Sequence, residues 1–210
     1  MSRVASHDAH IANNPKGNGM ESFETLVGSL LEKDGYWVRT SVKVDLTKGE
    51  KKIIGRPSSP RWELDLVAYK AKSNELLVVE CKSYLDSPGV RLRGVDGSNQ
   101  NDARRYKLFN DQILRKTVFT RLVRQLVSSG SCMPSPSITL CLAAGKVATE
   151  RDREGIKLLF ARKGWRLFDD SWLKERLLSV SNSGYENEVV SVVAKLLLRE
   201  KLRAAKPKKD

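Results

Sequence analysis

Apolar residues Phe23, Leu26, Val27, Leu30 and Leu31 recur at helical spacing and Gly35 follows as a stop, which predicts an amphipathic helix over 20–34. From 36 to 46 the period shortens, with Val38, Val42 and Val44 alternating with polar neighbours as in a strand with one wet face. The basic, turn-rich stretch 47–61 reads as a loop, with at most a short strand at Ile53 and Ile54. Two stronger strands follow, 62–70 (WELDLVAYK) and 75–84 (ELLVVECKSY), and the polar turn through Lys72, Ser73 and Asn74 makes them a hairpin. Leu76 to Val79 are apolar on both faces, the pattern of a central strand covered on both sides.

Residues 85–101 carry Pro, Gly, Asp, Asn and Ser without a period, and a loop of that length inside a domain is more often functional than accidental. The stripe Leu114, Val118, Leu122 and Leu126 predicts a long helix over 102–128 with basic outer faces. A fully apolar strand (138–144), a helix (149–163), a short strand (165–168) and helices over 171–180 and 186–203 complete the chain. Strands interleaved with helices in this order predict an α/β fold: a mixed central sheet with the hairpin at its middle, helices on both faces and extra helices at the C-terminus. At 210 residues the chain has the size of one domain. The organisation expected is a disordered leader (1–19), a domain over 20–180, a helical extension over 181–205 and a basic tail over 206–210. Trp37, Trp62, Trp165 and Trp172 read as core residues.

Charge then narrows the function. Lys and Arg number 38 against 25 Asp and Glu, a formal +13, which favours a polyanionic partner. The three cysteines, Cys81, Cys132 and Cys141, are odd in number and never spaced as CxxC, so neither a disulfide framework nor a zinc cage is expected, and the setting is read as reducing and cytoplasmic. The leader lacks the apolar core of a signal peptide, and apolar runs such as 138–144 fall well short of the roughly 18 residues of a membrane span. His7 and His10 both lie in the leader, which leaves a Ser-His-Asp hydrolase or a histidine metal site no imidazole in the body of the protein. Gly145-Lys146 lacks the glycine and hydroxyl positions of a phosphate-cradling Walker loop.

The hairpin places Glu63, Asp65, Glu80 and Lys82 in otherwise apolar strands. Alternation puts Glu63 with Asp65, and Glu80 with Lys82, on shared faces. A two- or four-residue turn centred between Lys72 and Ser73 sets Asp65 across from Glu80 and Glu63 across from Lys82. Carboxylates held about 5 Å apart repel unless a cation sits between them, and hard carboxylate oxygens suit magnesium or manganese. Lys82, on the same face, is placed to hold or deprotonate a metal-bound water, or to offset charge on a phosphate. The plain alternative is a wet sheet face with a Glu63–Lys82 salt bridge.

Asp65, a short hairpin and then Glu80-Cys81-Lys82 give a D…ExK pattern that resembles the PD-(D/E)XK nuclease superfamily, in particular its methyl-directed restriction-enzyme and Holliday-junction-resolvase branches. The likeness spans roughly residues 20–170, although residue 64 is Leu where the superfamily's name has proline. It implies a restriction endonuclease-like αβββαβ core, with Asp65, Glu80 and the backbone carbonyl of Cys81 as metal ligands. Lys82 would position the attacking water, and Glu24 of the first helix would complete the metal site. The Cys81 side chain reads as a small buried hydrophobe facing away from Glu80 and Lys82.

Two accessory candidates remain open: Glu63 as an outer ligand or base, or as the salt-bridge partner of Lys82, and Gln125 as a contact to the site or the DNA, or as a helix-edge residue. The implied activity is Mg2+- or Mn2+-dependent hydrolysis of DNA, with RNA left open as substrate, releasing 5′-phosphate and 3′-hydroxyl ends. Basic residues flank the hairpin on both sides, with Lys51, Lys52, Arg56 and Arg61 before it and Arg104, Arg105, Arg115, Lys116 and Arg121 after it, and these are the candidates for phosphate contacts. Symmetric cleavage of both strands would call for a homodimer, for which the sequence shows no face. The rival readings are an inactive DNA-binding module on the same fold and a basic RNA-binding protein.

Overall fold

A computed structural model describes residues 22–58, 61–184 and 188–204, with side chains as far as 198. The leader and the basic tail lie outside the described residues. Helix α1 (Ser22–Lys33) leads into β1 (Trp37–Val44) and α2 (Lys48–Ile53), then the hairpin of β2 (Trp62–Lys70) and β3 (Glu75–Lys82). Short helices α3 (Leu92–Val95), α4 (Gln100–Ala103) and α5 (Lys107–Asn110) precede the long α6 (Gln112–Ser128). β4 (Ser137–Ala144), α7 (Glu150–Lys163), β5 (Arg166–Phe168), α8 (Asp170–Asn182) and α9 (Val189–Ala204) follow. The five strands form one open mixed sheet in the order β1-β2-β3-β4-β5, antiparallel through β3 and parallel from β3 to β5.

The sheet is covered on both sides, as an apolar central strand requires. On one face Leu114, Val118 and Leu122 of α6, with Ile156 and Phe160 of α7, pack on Val67, Leu76, Val78, Leu140 and Leu142. On the other, Phe23, Val27, Leu30 and Leu31 of α1 pack on Leu66, Ala68, Leu77, Val79 and Cys141. The predicted hairpin register holds, with Lys70 opposite Glu75 and Leu66 opposite Val79. Its turn is a 3-10 turn over Ala71–Ser73 closed by Asn74 at φ 47°, a left-handed conformation that asparagine tolerates. The Asn74 side chain accepts from the Tyr69 hydroxyl at 3.0 Å and donates to the Pro134 carbonyl at 3.0 Å, tying the turn to the start of β4.

Three sequence expectations are corrected. The stretch after β1 contains the helix α2, because Thr47 and Glu50 form a reciprocal capping box, and Ile53 is exposed at its end rather than in a strand. The helix expected over 102–128 is broken: the Asn99 side chain caps α4, and the Asp111 carboxylate takes the Leu114 N–H at 2.8 Å to start α6 afresh. Short polar side chains that bond backbone groups locally compete with helix continuation, and the apolar stripe begins only at Leu114. Trp37, expected in the core, is 76% exposed where the edge strand opens. Among the described residues no helix is long and apolar enough to cross a membrane.

Candidate active site

The site is built where the β1–β2–β3 ladder gives way. β1 and β2 pair at Thr40 with Leu66 and at Val42 with Leu64, but Ser41, at φ 50°, forms no pair with Asp65 between them. The two strands change faces at this point: Leu66 and Ala68 lie in the core under α1, whereas Leu64 and Val44 lie in the core under α6. Asp65 therefore sits at the crossover. Its Oδ2 accepts the Cys81 backbone N–H at 2.7 Å, just past Leu66–Val79, the last backbone pair of the hairpin. A carboxylate thus takes the place of a ladder carbonyl at the end of the sheet's central strand.

Glu80 and Lys82 project from that strand end, and Lys82 Nζ donates to Glu80 Oε1 at 2.8 Å with both side chains 19% exposed. Glu24 is buried on α1, the helix that covers the Cys81 face of the sheet. The Cys81 thiol senses all of these charges. Burial pushes its pKa up, the Asp65, Glu24 and Glu80 carboxylates push it further, and only Lys82 opposes them. Asp65, Glu80 and Lys82 therefore meet at one strand end, where the Glu24 charge is also felt. Cys81 itself is packed in the α1-side core, with its thiol held protonated.

Burial disfavours the Lys82 ammonium, but Glu80 and Asp65 outweigh that cost and raise its pKa above the ordinary lysine value. At neutral pH Lys82 is a proton donor and a fixed positive charge, not a base. Three carboxylates and one ammonium share a partly desolvated strand end, a setting in which a cation held by the carboxylates is stabilising. The donor set is all hard oxygen, which suits a divalent ion such as Mg2+. Among the described residues, no group of three or more acidic, cysteine or histidine side chains is already arranged as a metal cage. Glu80 would have to leave Lys82 to serve as a ligand.

The accessory candidates separate from this cluster. Glu63 is exposed and stands opposite Lys43 on β1, and Lys82 bonds Glu80 in place of the alternative partner Glu63. The Gln125 amide is engaged at both ends: Nε2 donates to the Lys43 carbonyl at 2.9 Å and Oε1 accepts the Asp45 N–H at 3.1 Å. Gln125 thus fastens α6 to the end of β1. Two neutral hydrogen bonds contribute about 1–3 kcal/mol between them. Gln125→Ala is expected to lower the melting temperature by a few degrees, at roughly 2–4 °C per kcal/mol. It should leave any metal-dependent cleavage intact; loss of cleavage without loss of stability would return Gln125 to the site.

Several of the predicted phosphate contacts are committed elsewhere. The Arg115 guanidinium donates to the Leu108 and Phe109 carbonyls at 2.6 and 3.2 Å and lies over the Trp165 ring. Arg121 makes a two-pronged ion pair with Glu50, Arg61 pairs with Asp45 at 2.6 Å, and Arg56 stacks on Trp62. Lys52, Arg104 and Lys116 are exposed and form no ion pair among the described residues, and Lys51 is half-buried on α2 without one. Arg105 is exposed and lies beside the Tyr84 hydroxyl. The sequence reading passes over Tyr84, although the alternation through Glu80 and Lys82 continues to it; its neighbours show it to be part of the same strand end, since it contributes to the Lys82 shift.

Compared with protein families, curated proteins and solved structures, the chain matches none.

Proposed function

We propose that the protein is a divalent-metal-dependent nuclease with a restriction endonuclease-like core, acting on DNA. The observation that carries this reading is that Asp65 is held by the Cys81 N–H where the β2–β3 ladder ends, with Glu80 and Lys82 paired on the same strand end and the Glu24 charge felt there. A hairpin whose charges were merely solvated would leave Asp65 facing water; here its carboxylate is fixed by a strand N–H. Asp65, Glu80, Glu24 and the Cys81 carbonyl are the groups that would hold Mg2+ or Mn2+. Such an ion, when bound, stabilises charge on a phosphate and acidifies water.

The chain's own residues account for the rest. The Lys82 ammonium, kept charged by its acidic neighbours, orients the attacking water in line with the leaving oxygen and offsets charge on the phosphate. The Cys81 N–H holds Asp65 in one rotamer, so that the carboxylate needs no reorganisation as the reaction proceeds. Lys52 on α2, with Arg104 and Lys116, supplies exposed positive charge on segments flanking the hairpin in sequence, suited to backbone phosphates rather than to base edges.

The direct test is a cleavage panel with the purified chain: plasmid, linear, forked and four-way DNA, together with RNA, each with manganese and with chelator. Manganese-dependent cleavage leaving 5′-phosphate ends is expected on at least one DNA. Cleavage that persists in chelator, or the absence of both cleavage and metal binding, overturns the proposal.

A further inference from the structure

Beyond Lys82 the chain turns at Tyr84, which has φ 45°, and enters a segment that the sequence marks only as a long irregular loop. In the structure this segment is pinned. Val90 bridges Val147 beyond the end of β4, the Leu92 N–H donates to Asp152 on α7 at 2.9 Å, and Asn110 Nδ2 donates to the Gly94 carbonyl at 2.9 Å. Two glycines are required by the close approaches. A side chain at Gly89, which has φ 99°, would meet the backbone of Lys146 to Ala148 at about 3 Å, and one at Gly94 would strike the Tyr106 ring at 2.9 Å.

These contacts enclose a cleft of about 260 Å3 lined by Tyr84, Gly89, Arg91, Arg93, Arg105 and Tyr106. Its charge is lopsided. Asp102 also lines the cleft and is bonded to Arg93 at 2.7 Å, so that neither Arg91 nor Arg105 makes a salt bridge among the described residues, although the Asp102 charge reaches Arg105. The Arg105 guanidinium lies beside the Tyr84 hydroxyl, and Tyr84 lies beside the Tyr106 hydroxyl. Burial and Tyr84 push the Tyr106 phenol well above its ordinary pKa, so this end of the cleft offers the protonated Tyr106 hydroxyl beside guanidinium forks. Arginine forks with neighbouring O–H donors match the several acceptor oxygens of a phosphate, whereas a carboxylate or a metal ion would leave most of these donors unused.

We infer that this cleft binds a phosphate group of a nucleic-acid strand, placed beside the site of Asp65, Glu80 and Lys82. The binding stands on the cleft alone; its place relative to the cleaved bond rests on the nuclease reading. Tyr84 lies two residues past Lys82, roughly 7 Å at about 3.3 Å per extended residue. That matches about two steps of a strand whose phosphates advance roughly 3.4 Å each along the axis. The phosphate is either an internal diester of the strand or a terminal monoester, two sources with the same chemistry.

The test measures binding of short 3′-labelled single-stranded DNA to the full chain in chelator, with a 5′-phosphate or a 5′-hydroxyl end and with inorganic phosphate as competitor. Arg91→Ala and Arg105→Ala are each expected to weaken binding about tenfold, the loss of a charge-assisted contact. Each should also flatten the salt dependence by about 0.7 in log–log slope. Lys72→Ala, which removes the same charge at the hairpin turn, should change neither. Equal losses on both ends of DNA assign an internal phosphate; losses confined to the 5′-phosphorylated strand, with competition by inorganic phosphate, assign a terminal one. If both arginine variants bind as wild type while keeping its melting temperature, the cleft has no such role. Because the assay contains neither metal nor cleavage, that failure leaves Asp65-dependent cleavage untouched, and arginine-dependent binding without any cleavage would overturn the nuclease reading alone.

Discussion

Asp65→Asn, Glu80→Gln and Lys82→Ala are each expected to lower the rate of DNA cleavage by roughly a thousandfold or more, while leaving a folded chain that binds DNA in chelator. The substitutions are chosen from the geometry. Asp65→Asn keeps an oxygen to accept the Cys81 N–H that Asp65 Oδ2 accepts at 2.7 Å, so the strand end is preserved and only the charge is lost. Glu80→Gln keeps the shape of the side chain and an acceptor for Lys82, but the amide is a far weaker ligand for a hard divalent ion. Lys82→Ala removes the ammonium that Glu80 and Asp65 hold charged. A residue that merely balanced its neighbours would cost stability when removed and would leave the rate of the folded chain largely unchanged. Activity close to wild type in any of the three removes the mechanism as stated. Glu24→Gln discriminates further: a large loss of rate makes Glu24 a member of the metal site, and a small one makes it a buried helix carboxylate near the site.

The hairpin was legible because two independent patterns agreed on it. Alternation set the faces of β2 and β3, and the polar turn centred between Lys72 and Ser73 set their register, so the Leu66–Val79 pairing could be worked out by counting. The change of faces at Ser41 and Asp65 could not. It depends on one serine adopting a left-handed φ, which has no mark in the sequence, and it is what directs Asp65 to a backbone N–H instead of across to Glu80. The basic residues fail for a different reason. A count of Lys and Arg cannot tell Arg115, which holds helix-end carbonyls, or Arg121, which holds Glu50, from Lys116, which faces water. The long loop likewise read as unstructured because its order comes from partners distant in sequence, Asp152 and Val147 among them, that no local pattern reveals.

The melting temperature should report the acid cluster independently of catalysis. In the wild type without metal, Glu24, Asp65 and Glu80 crowd one strand end with Lys82 among them, and a divalent cation that binds only the folded chain stabilises it by mass action. At a hundred times its dissociation constant the ion contributes about 2.7 kcal/mol. For a domain of this size that corresponds to roughly 5–11 °C, at about 2–4 °C per kcal/mol. Asp65→Asn should abolish the shift by manganese. Without metal it should melt at or above wild type, because the amide oxygen still accepts from Cys81 while one of three crowded carboxylates loses its charge. The melts belong near neutral pH. Lys82 has its folded pKa raised, so its stabilising contribution is fully present below the ordinary lysine pKa and is lost only as the pH rises through the folded value, well above the working range. A wild type that shows no metal-dependent shift, together with a mutant that melts lower than wild type in chelator, would mean that Asp65 serves the strand end alone, and the inactive binding-module reading would then replace the nuclease.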